Sequence, residues 1–489
     1  MRSSAATLTT HVKFVQVSFA SLLALTLLII HGTPFITNLI LHHLTLSLSL
    51  AYISLLSLFL LLRRHRSSRR RVYLLDYSCF KPAFDRKLSF EVCEYFVRRT
   101  RRFTLKSEEF MRGIYRKSGL GDETYGPPFI FESSSNHEGE EIAYLHSALQ
   151  EAQEGMFSSI DSLLSKTHMS PHEIDIVIVT CGMFNPVPSL TSILVNKYKF
   201  KHDVKTYNLS GMGCSSGAMA IDLAAKIVRS STTNNKTLNA LVVATESISQ
   251  NWYFGDDRSM LVTNCIFRVG CAAAIVTNDS TRHSTAKMEL LTALRTHHGA
   301  DDASYQAALQ REDGFGNPGV ALTKDLIRVA AQGLKEHVRL LAPRVLPLSQ
   351  LVWYVYSVVA ARMTGAGGGK LKLVVPDFST AFEHMCVHTG GKAVIEQVER
   401  VMRLSEEATE PARMSLHRFG NTSSSLVFYE LAYFEAKGRV KKGDRVWVLA
   451  FGTGFKVCSL VFKALRDSRQ DEIDNPWRDC IHRYPLKAW

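Results

Sequence analysis

The segment Asn208-Leu-Ser-Gly-Met-Gly-Cys-Ser-Ser-Gly217 decides how this chain is interpreted, because it places one thiol, Cys214, among small residues. A strand-like stretch precedes the segment, and a helix-like stretch follows it from Ala218 to Arg229. A thiol at such a junction meets the N–H groups and the positive dipole end of the helix, which favour the thiolate. The segment therefore predicts an α/β fold that presents Cys214 as a nucleophile.

Two polar side chains downstream are also framed by glycines. His388 lies in His-Thr-Gly-Gly-Lys, and Asn421 lies in His-Arg-Phe-Gly-Asn-Thr-Ser-Ser-Ser. The glycines after His388 predict a side chain exposed at a tight turn that enters a helix. A cysteine, a histidine and an asparagine in this order indicate acyl-thioester chemistry, in which an acylated nucleophile works beside hydrogen-bond donors.

A glycine-rich turn could supply further donors. The run Phe451-Gly-Thr-Gly-Phe455 lies between two predicted strands. Gly452 and Gly454 would let backbone N–H groups approach a thioester oxygen, or they would form only a tight hairpin. His297 and His417 are candidate positioning groups.

Some residues of the sequence also suggest a metal site, a glycosylation site or a phosphate loop. His384 and His388 could belong to a metal site, but no further paired ligands occur at the spacing of structural zinc sites. Asn421-Thr-Ser is a glycosylation sequon, which would need a lumenal location. The segment from Thr364 to Lys370 is rich in glycine but lacks the phosphate-loop pattern, so we predict a flexible loop there.

Strand-like and helix-like segments alternate along residues 72–489, which is typical of a layered α/β fold. Two α/β sets, 72–285 and 286–489, suggest an internal duplication. The predicted helices are 91–118, 140–166, 324–340 and 391–403, and the predicted strands are 72–82, 174–180, 240–247, 444–451 and 455–461.

The formal charge of +13 is concentrated at the N-terminus. Residues 1–71 contain eight arginines and lysines and no acidic residue, so the rest of the chain carries only +5. This distribution indicates a membrane flank and argues against a nucleic-acid partner. The nine cysteines are scattered without a CxxC pair, which indicates a reducing compartment.

Two uncharged apolar stretches precede the basic run 63–71. Residues 14–31 and 44–62 each approach the ~20 residues needed to cross a bilayer. The basic run marks the cytosolic side, so we predict a transmembrane helical hairpin in residues 1–71 with both ends in the cytosol. A cleaved signal peptide is disfavoured because a second apolar stretch follows the first.

Six motifs make residues 72–489 resemble the plant 3-ketoacyl-CoA synthases, the condensing enzymes of the endoplasmic-reticulum fatty-acid elongase. The motifs are Gly211-Met-Gly-Cys-Ser-Ser-Gly217, Asn251-Trp-Tyr-Phe-Gly-Asp-Asp-Arg-Ser-Met260, Asn264-Cys-Ile-Phe-Arg268, His388-Thr-Gly-Gly-Lys392, His417-Arg-Phe-Gly-Asn-Thr-Ser-Ser-Ser425 and Asn475-Pro-Trp-Arg-Asp-Cys-Ile-His-Arg-Tyr-Pro485. The sequence departs from the family pattern at Cys271, Asp256 and Ala307-Ala308, none of which belongs to the catalytic set.

The resemblance implies a thiolase-type fold of five layers, α-β-α-β-α, built from two duplicated halves and usually found as a homodimer. It implies that the nucleophile is Cys214 and that the condensation step uses His388 and Asn421. It further implies that His297, His384 and His417 are required.

The implied reaction is the decarboxylative condensation of a long-chain acyl-CoA with malonyl-CoA. Its products are a 3-oxoacyl-CoA two carbons longer, CO2 and CoA, and it needs no metal or other cofactor. The implied setting is the endoplasmic-reticulum membrane, where very-long-chain fatty acids for waxes and cuticular lipids are made. The implied partners are a ketoacyl-CoA reductase, a hydroxyacyl-CoA dehydratase and an enoyl-CoA reductase.

Three other functions are alternatives to that of a 3-ketoacyl-CoA synthase. A type III polyketide synthase-like enzyme would use the same three side chains, but the predicted anchor disfavours it. A papain-like protease would carry a Cys-Gly-Ser-Cys-Trp signature, which is absent. A catalytically silent elongase scaffold is the non-enzyme alternative, and the intact catalytic set argues against it.

Overall fold

The computed structural model describes residues 71–132, 144–230, 236–363, 377–388 and 390–486, with Ser47 and Ser54. The chain divides into two compact units, residues 1–70 and 71–489, and the fold below is that of the second. The predicted hairpin, apart from the two serines, and the predicted loop 364–370 lie outside the described residues. No helix among the described residues is long and apolar enough to span a bilayer.

The second unit alternates strands and helices along its described length. The strands are β1 (Tyr73–Cys79), β2 (Ile176–Cys181), β3 (Lys205–Ser210), β4 (Asn239–Thr245), β5 (Cys271–Thr277), β6 (Met288–His297), β7 (Ala308–Glu312), β8 (Pro318–Leu322), β9 (His384–Val387), β10 (Arg445–Gly452) and β11 (Lys456–Ala464). The helices are α1 (Phe90–Thr100), α2 (Leu105–Lys117), α3 (Tyr144–Thr167), α4 (Leu190–Tyr198), α5 (Ser216–Ser230), α6 (Arg258–Ile266), α7 (Asp302–Gln306), α8 (Leu326–Val345), α9 (Leu348–Met363), α10 (Lys392–Met402), α11 (Glu406–Phe419) and α12 (Leu426–Ala436).

Nine of the described strands form one mixed sheet in the order β3-β2-β4-β5-β1-β6-β11-β10-β9. The strand directions repeat on either side of the short β1–β6 pairing. From β1 outward, β5 and β4 are antiparallel neighbours and β2 is parallel to β4. From β6 outward, β11 and β10 are antiparallel neighbours and β9 is parallel to β10. Apart from β3, which has no counterpart beside β9 among the described strands, the two sides of the sheet therefore share one topology.

Helices cover both faces of the sheet because alternate strand residues point to opposite faces. In β5, Ala272 and Ala274 join a core that contains α5 and α12, whereas Cys271 and Ala273 join a core with α3 and α6. A third core joins the outer face of β9–β11 to α8, α10 and α11. All residues of α12 are buried, as expected for a helix enclosed on every side.

The structure confirms most predicted elements but corrects one of them. The single helix predicted over 91–118 is two helices, α1 and α2. The break occurs at Arg101, which has a left-handed φ of 50° and caps the end of α1. Thr104 then starts α2 by accepting a hydrogen bond from the backbone N–H of Ser107. The amphipathic spacing continued across the break, so it did not reveal the end of the first helix.

A buried ion cluster joins four parts of the fold. The Lys287 ammonium, just before β6, lies 2.8 Å from a carboxylate oxygen of Glu435 on α12 and 2.9 Å from one of Glu472 in the C-terminal segment. It also lies 3.6 Å from Asp76 on β1. The Tyr77 hydroxyl donates a hydrogen bond to Glu435. These carboxylates hold the pKa of Lys287 above its usual value despite its burial.

Lys287→Met should destabilise the protein by about 3–5 kcal/mol, because it leaves the buried Glu435 carboxylate without its cation. The midpoint of thermal unfolding, measured on the full-length protein in detergent, checks this. Arg328→Met is the control, since Arg328 pairs with Asp325 at an exposed site, where removal costs about 0–1 kcal/mol. Equal midpoints for the two variants would contradict a stabilising role of the cluster.

Candidate active site

Cys214 lies where the predicted strand, turn and helix meet. Strand β3 ends at Ser210, Cys214 occupies a single 3-10 turn, and α5 begins two residues later. Gly213 has a φ of +66°, which favours glycine. A Cβ at Gly217 would overlap the carbonyl oxygen of Ser424, so glycine is required for this approach. The small residues around the thiol thus let two segments distant in sequence pack together.

A cavity of about 380 Å³ opens beside this turn. Six of the eight predicted site residues line it, namely Cys214, His297, His388, Asn421, Gly452 and Gly454. The β10–β11 hairpin that carries the two glycines confirms the predicted turn between strands. The other wall is largely apolar, with Phe267, Leu309, Val320, Leu322, Leu326 and Val394.

Cys214 is a neutral thiol at rest, contrary to the expected thiolate. Enclosure by protein raises the pKa of the Cys214 thiol to about 11. The Ser423 hydroxyl, 3.5 Å from the sulfur, opposes the rise, and the nearby Glu246 carboxylate adds to it. Burial of the sulfur is therefore the largest influence on the pKa of Cys214.

His388 follows β9 and is buried, with only 2% of its surface exposed, so the prediction that its side chain is exposed is wrong. The predicted entry into a helix is confirmed, because α10 begins at Lys392. Burial lowers the pKa of His388 to about 4, and the imidazole is therefore neutral at pH 7. Its Nδ1 atom has no hydrogen-bond partner among the described residues. A neutral ring of this kind can exchange a hydrogen bond or a proton with a ligand.

The Asn421 amide is held in one orientation. Its Oδ1 accepts a hydrogen bond from the backbone N–H of Ser423 at 2.9 Å, and its Nδ2 lies 3.4 Å from the carbonyl oxygen of Gly390. An amide nitrogen carries two N–H donors, so the second remains for a ligand oxygen. Asn421 and His388 therefore both present polar groups to the cavity that contains the thiol.

Two polar residues beside the thiol were missed by sequence reasoning. Ser423 donates to Glu246 at 3.0 Å, and Glu246 also accepts from the backbone N–H groups of Gly182 and Met183. Ser423 has a left-handed φ of 55°, which is costly for a residue with a side chain and occurs often at functional sites. Its position two residues after Asn421 was a usable signal, whereas Glu246 follows a buried strand with no distinguishing pattern.

His384 and His417 do not line the cavity. His384 lies on β9, and its Nε2 is 2.9 Å from the Asp444 carboxylate. His417 lies near the end of α11, and its Nδ1 is 3.0 Å from the hydroxyl of Tyr484. The structure thus places both histidines in contacts between elements. Among the described residues, no three potential ligands are grouped as a metal site would require.

Comparison with known proteins identifies the family. The family model described as FAE1/Type III polyketide synthase-like protein matches residues 63–363. The model for the C-terminal part of 3-oxoacyl-[acyl-carrier-protein] synthase III matches residues 379–464. The chain thus has the fold of a thiolase-like condensing enzyme, and it belongs to the FAE1/type III polyketide synthase-like family.

Relatives with curated names are similar over most of this chain. The chain is 43% identical to 3-ketoacyl-CoA synthase 17 of Arabidopsis thaliana over 86% of its length and 84% of the relative. It is 44% identical to 3-ketoacyl-CoA synthase 2 of the same plant over 85% of its length and 78% of the relative. Within its family, the chain therefore groups with proteins that carry the 3-ketoacyl-CoA synthase name.

Solved structures support the fold independently. A fungal type III polyketide synthase, ORAS, superposes with a TM-score of 0.62 at 16% identity, covering 80% of this chain and 99% of that one. A type III pentaketide synthase from Neurospora crassa gives a TM-score of 0.60 at 16% identity, covering 80% and 99%. At this identity the likeness concerns the fold alone.

Alkylation of Cys214 by iodoacetamide should accelerate about tenfold per pH unit from pH 7 to pH 10. Only the thiolate reacts, and at pH values below the pKa the thiolate fraction increases with pH.

Glu246→Gln removes a negative charge beside the sulfur, so it should lower the Cys214 pKa and raise the alkylation rate at pH 8. Peptide mass spectrometry measures the rate, and Asp325→Asn, at an exposed site, is the control. A rate that is already constant at neutral pH would contradict the neutral thiol.

Proposed function

We propose that this chain is a 3-ketoacyl-CoA synthase that condenses a long-chain acyl-CoA with malonyl-CoA in very-long-chain fatty acid elongation. The observation that carries the proposal is the convergence of Cys214, His388 and Asn421 on one cavity. The names of the relatives supply the substrate class. The segments that the two family models match include all three residues.

In the first half-reaction, the Cys214 sulfur attacks the thioester carbonyl of the acyl-CoA. A bond from the sulfur to the acyl carbon forms, the bond to the CoA sulfur breaks, and the thiol proton ends on the departing CoA. The thiol is neutral at rest, so its proton must leave as the carbon–sulfur bond forms. The apolar wall of the cavity suits a hydrocarbon chain, because burial of apolar surface is favourable.

In the second half-reaction, malonyl-CoA loses CO2 and an enolate oxygen develops on its thioester. The neutral imidazole of His388 and the Nδ2 amide of Asn421 are donors that suit this oxygen. The enolate carbon attacks the acyl group on Cys214, the bond to the sulfur then breaks, and the released thiolate takes up one proton from solvent to restore the neutral thiol. The second oxyanion, on the acyl carbon, would lie near the turn from Gly452 to Gly454, which packs against the nucleophile.

Finer features of the protein are part of the same proposal. The three cores around the sheet suit a five-layered α-β-α-β-α fold of two duplicated halves, 72–285 and 286–489. The apolar stretches and the basic run in residues 1–71 support an anchor in the endoplasmic-reticulum membrane with a cytosolic catalytic part. We further propose a homodimer that works with the elongase reductases and dehydratase and needs no cofactor.

His388→Ala and Asn421→Ala should each reduce condensation by about 100- to 1000-fold, because each removes one donor to the developing enolate. Both variants should still accept the acyl group on Cys214, which intact-protein mass spectrometry would show after exposure to an acyl-CoA. Radiolabelled malonyl-CoA measures the condensation, and Cys214→Ser is the negative control for both readouts.

The alternatives predict different outcomes in that experiment. A His388→Ala protein that cannot be acylated would make the histidine the base for Cys214 and overturn this division of roles. A wild-type protein that forms no 3-oxoacyl-CoA with any of a panel of acyl-CoAs would favour the silent scaffold. Cyclised products from repeated malonyl additions would favour the polyketide synthase alternative.

Deletion of residues 1–71 should release the catalytic part from membranes, because the apolar stretches and eight basic residues are removed together. Membrane flotation measures the release, and circular dichroism checks the fold of the remaining chain. Replacement of only the arginines in 63–71 by glutamine is the comparison, and it should leave the protein in the membrane. A truncated protein that still floats with membranes would contradict the anchor.

A further inference from the structure

The cavity contains a cation that the reaction described above does not use. Lys456, at the start of β11, lines the cavity and is about nine-tenths buried. Its ammonium donates one hydrogen bond to the carbonyl oxygen of Thr453 at 2.7 Å. No carboxylate of the described residues lies within ion-pair distance of it, and burial alone lowers the Lys456 pKa. A buried ammonium with no counterion is costly unless an anion binds to it.

The Lys456 ammonium lies close to the turn that carries the reacting sulfur of Cys214. A Cβ built on Gly454 would lie 2.8 Å from the Lys456 Nζ, so the ammonium stands directly over that glycine. A Cβ on Gly452, in the same hairpin, would overlap the Ser215 hydroxyl, one residue from Cys214. Lys456 therefore lies on the hairpin that packs against the nucleophile turn.

A second donor accompanies the ammonium. His297 is the Cα partner of Lys456 in the β6–β11 ladder and lines the same cavity. Its Nδ1 accepts a hydrogen bond from the backbone N–H of Gly299 at 3.0 Å. The proton of the neutral ring must then be on Nε2, which makes that atom a donor. Burial and the Lys456 charge lower the His297 pKa, which favours this neutral form.

We propose that Lys456, assisted by His297, binds the carboxylate of the malonyl group and so selects malonyl-CoA over uncarboxylated thioesters as the second substrate. This inference rests on the proposed function. Among the residues that line the cavity, Lys456 is the one lysine or arginine and Glu246 the one carboxylate. An incoming anion therefore meets a single ammonium, and charge-assisted hydrogen bonds of this kind are the strong ones.

The malonyl carboxylate fits the Lys456 site better than a CoA phosphate does. In both substrates the phosphates are separated from the thioester sulfur by the whole pantetheine arm, whereas the malonyl carboxylate is two bonds from the thioester carbonyl carbon. The ammonium stabilises the carboxylate in the ground state and so does not itself promote loss of CO2. That step is driven from the other end of the malonyl group, where His388 and Asn421 face the enolate oxygen.

Steady-state kinetics of the full-length enzyme test this inference. Lys456→Met, which keeps the length of the side chain, should raise the KM for malonyl-CoA by about 10- to 100-fold. It should not lower kcat, because the lost contact stabilises the bound substrate rather than the transition state. Lys456→Arg should recover part of the affinity. Lys463→Met is the matched control, since Lys463 is an exposed residue of the same strand.

Two further measurements separate the outcomes. Acylation of Cys214 by acyl-CoA, followed by intact-protein mass spectrometry, should be unchanged in Lys456→Met, which also shows that the variant is folded. Malonyl-pantetheine, which lacks the CoA phosphates, should show the same rise in KM as malonyl-CoA. An effect confined to malonyl-CoA would assign Lys456 to a phosphate, and a fall in kcat at constant KM would assign it to the transition state. Either result overturns the inference.

These outcomes are distinct from failure of the proposed function. If the wild-type enzyme does not condense acyl-CoA with malonyl-CoA, the proposed function fails. If the wild type condenses them and Lys456→Met has an unchanged KM for malonyl-CoA, only the carboxylate site fails.

Discussion

Backbone contact at the nucleophile turn is the constraint on which the site depends. No side chain fits at Gly217, where α5 meets the carbonyl oxygen of Ser424, or at Gly452, where the β10–β11 hairpin meets Ser215. These contacts bring Cys214, from the first half of the chain, against segments of the second half. Because packed protein interiors deform little, the same contacts hold the thiol, the imidazole and the amide around one cavity.

The scaffold behind this contact repeats one strand order on either side of the β1–β6 pairing. Each side contributes one helix to the shared core, α5 after the thiol and α12 after Asn421. Helix α12 is buried throughout, whereas α5 is buried along one face. Both functional turns therefore precede helices that pack into the shared core. The Lys287 ion cluster links the β1–β6 junction to α12 and to the C-terminal segment. The same ion pairs therefore stabilise the centre of the sheet and the helix that follows Asn421.

The electrostatics of the cavity follow from its burial. The thiol and the imidazole are both neutral at rest, since burial raises the pKa of Cys214 and lowers that of His388. Charge then develops only as the substrates react, in surroundings where hydrogen bonds to it are strong. The ammonium of Lys456 and the carboxylate of Glu246 are the exceptions, because their charges are present before any substrate binds.

The sequence by itself determined the α/β class, the strand–turn–helix junction at Cys214 and the candidate residues His388 and Asn421. Those features depend on local patterns, namely the hydrophobic period and the placement of glycines. It did not reveal the end of α1 at Arg101, because the apolar spacing continued past it.

Tertiary structure alone decided which candidates meet. It brought His297 to the cavity and placed His384 and His417 elsewhere, although all three carry the same side chain. It also decided the protonation of Cys214, which local sequence predicted as a thiolate. It added Ser423, Glu246 and Lys456, whose importance comes from neighbours distant in sequence. Desolvation and contact depend on what surrounds a side chain in space, and a linear pattern does not contain that information.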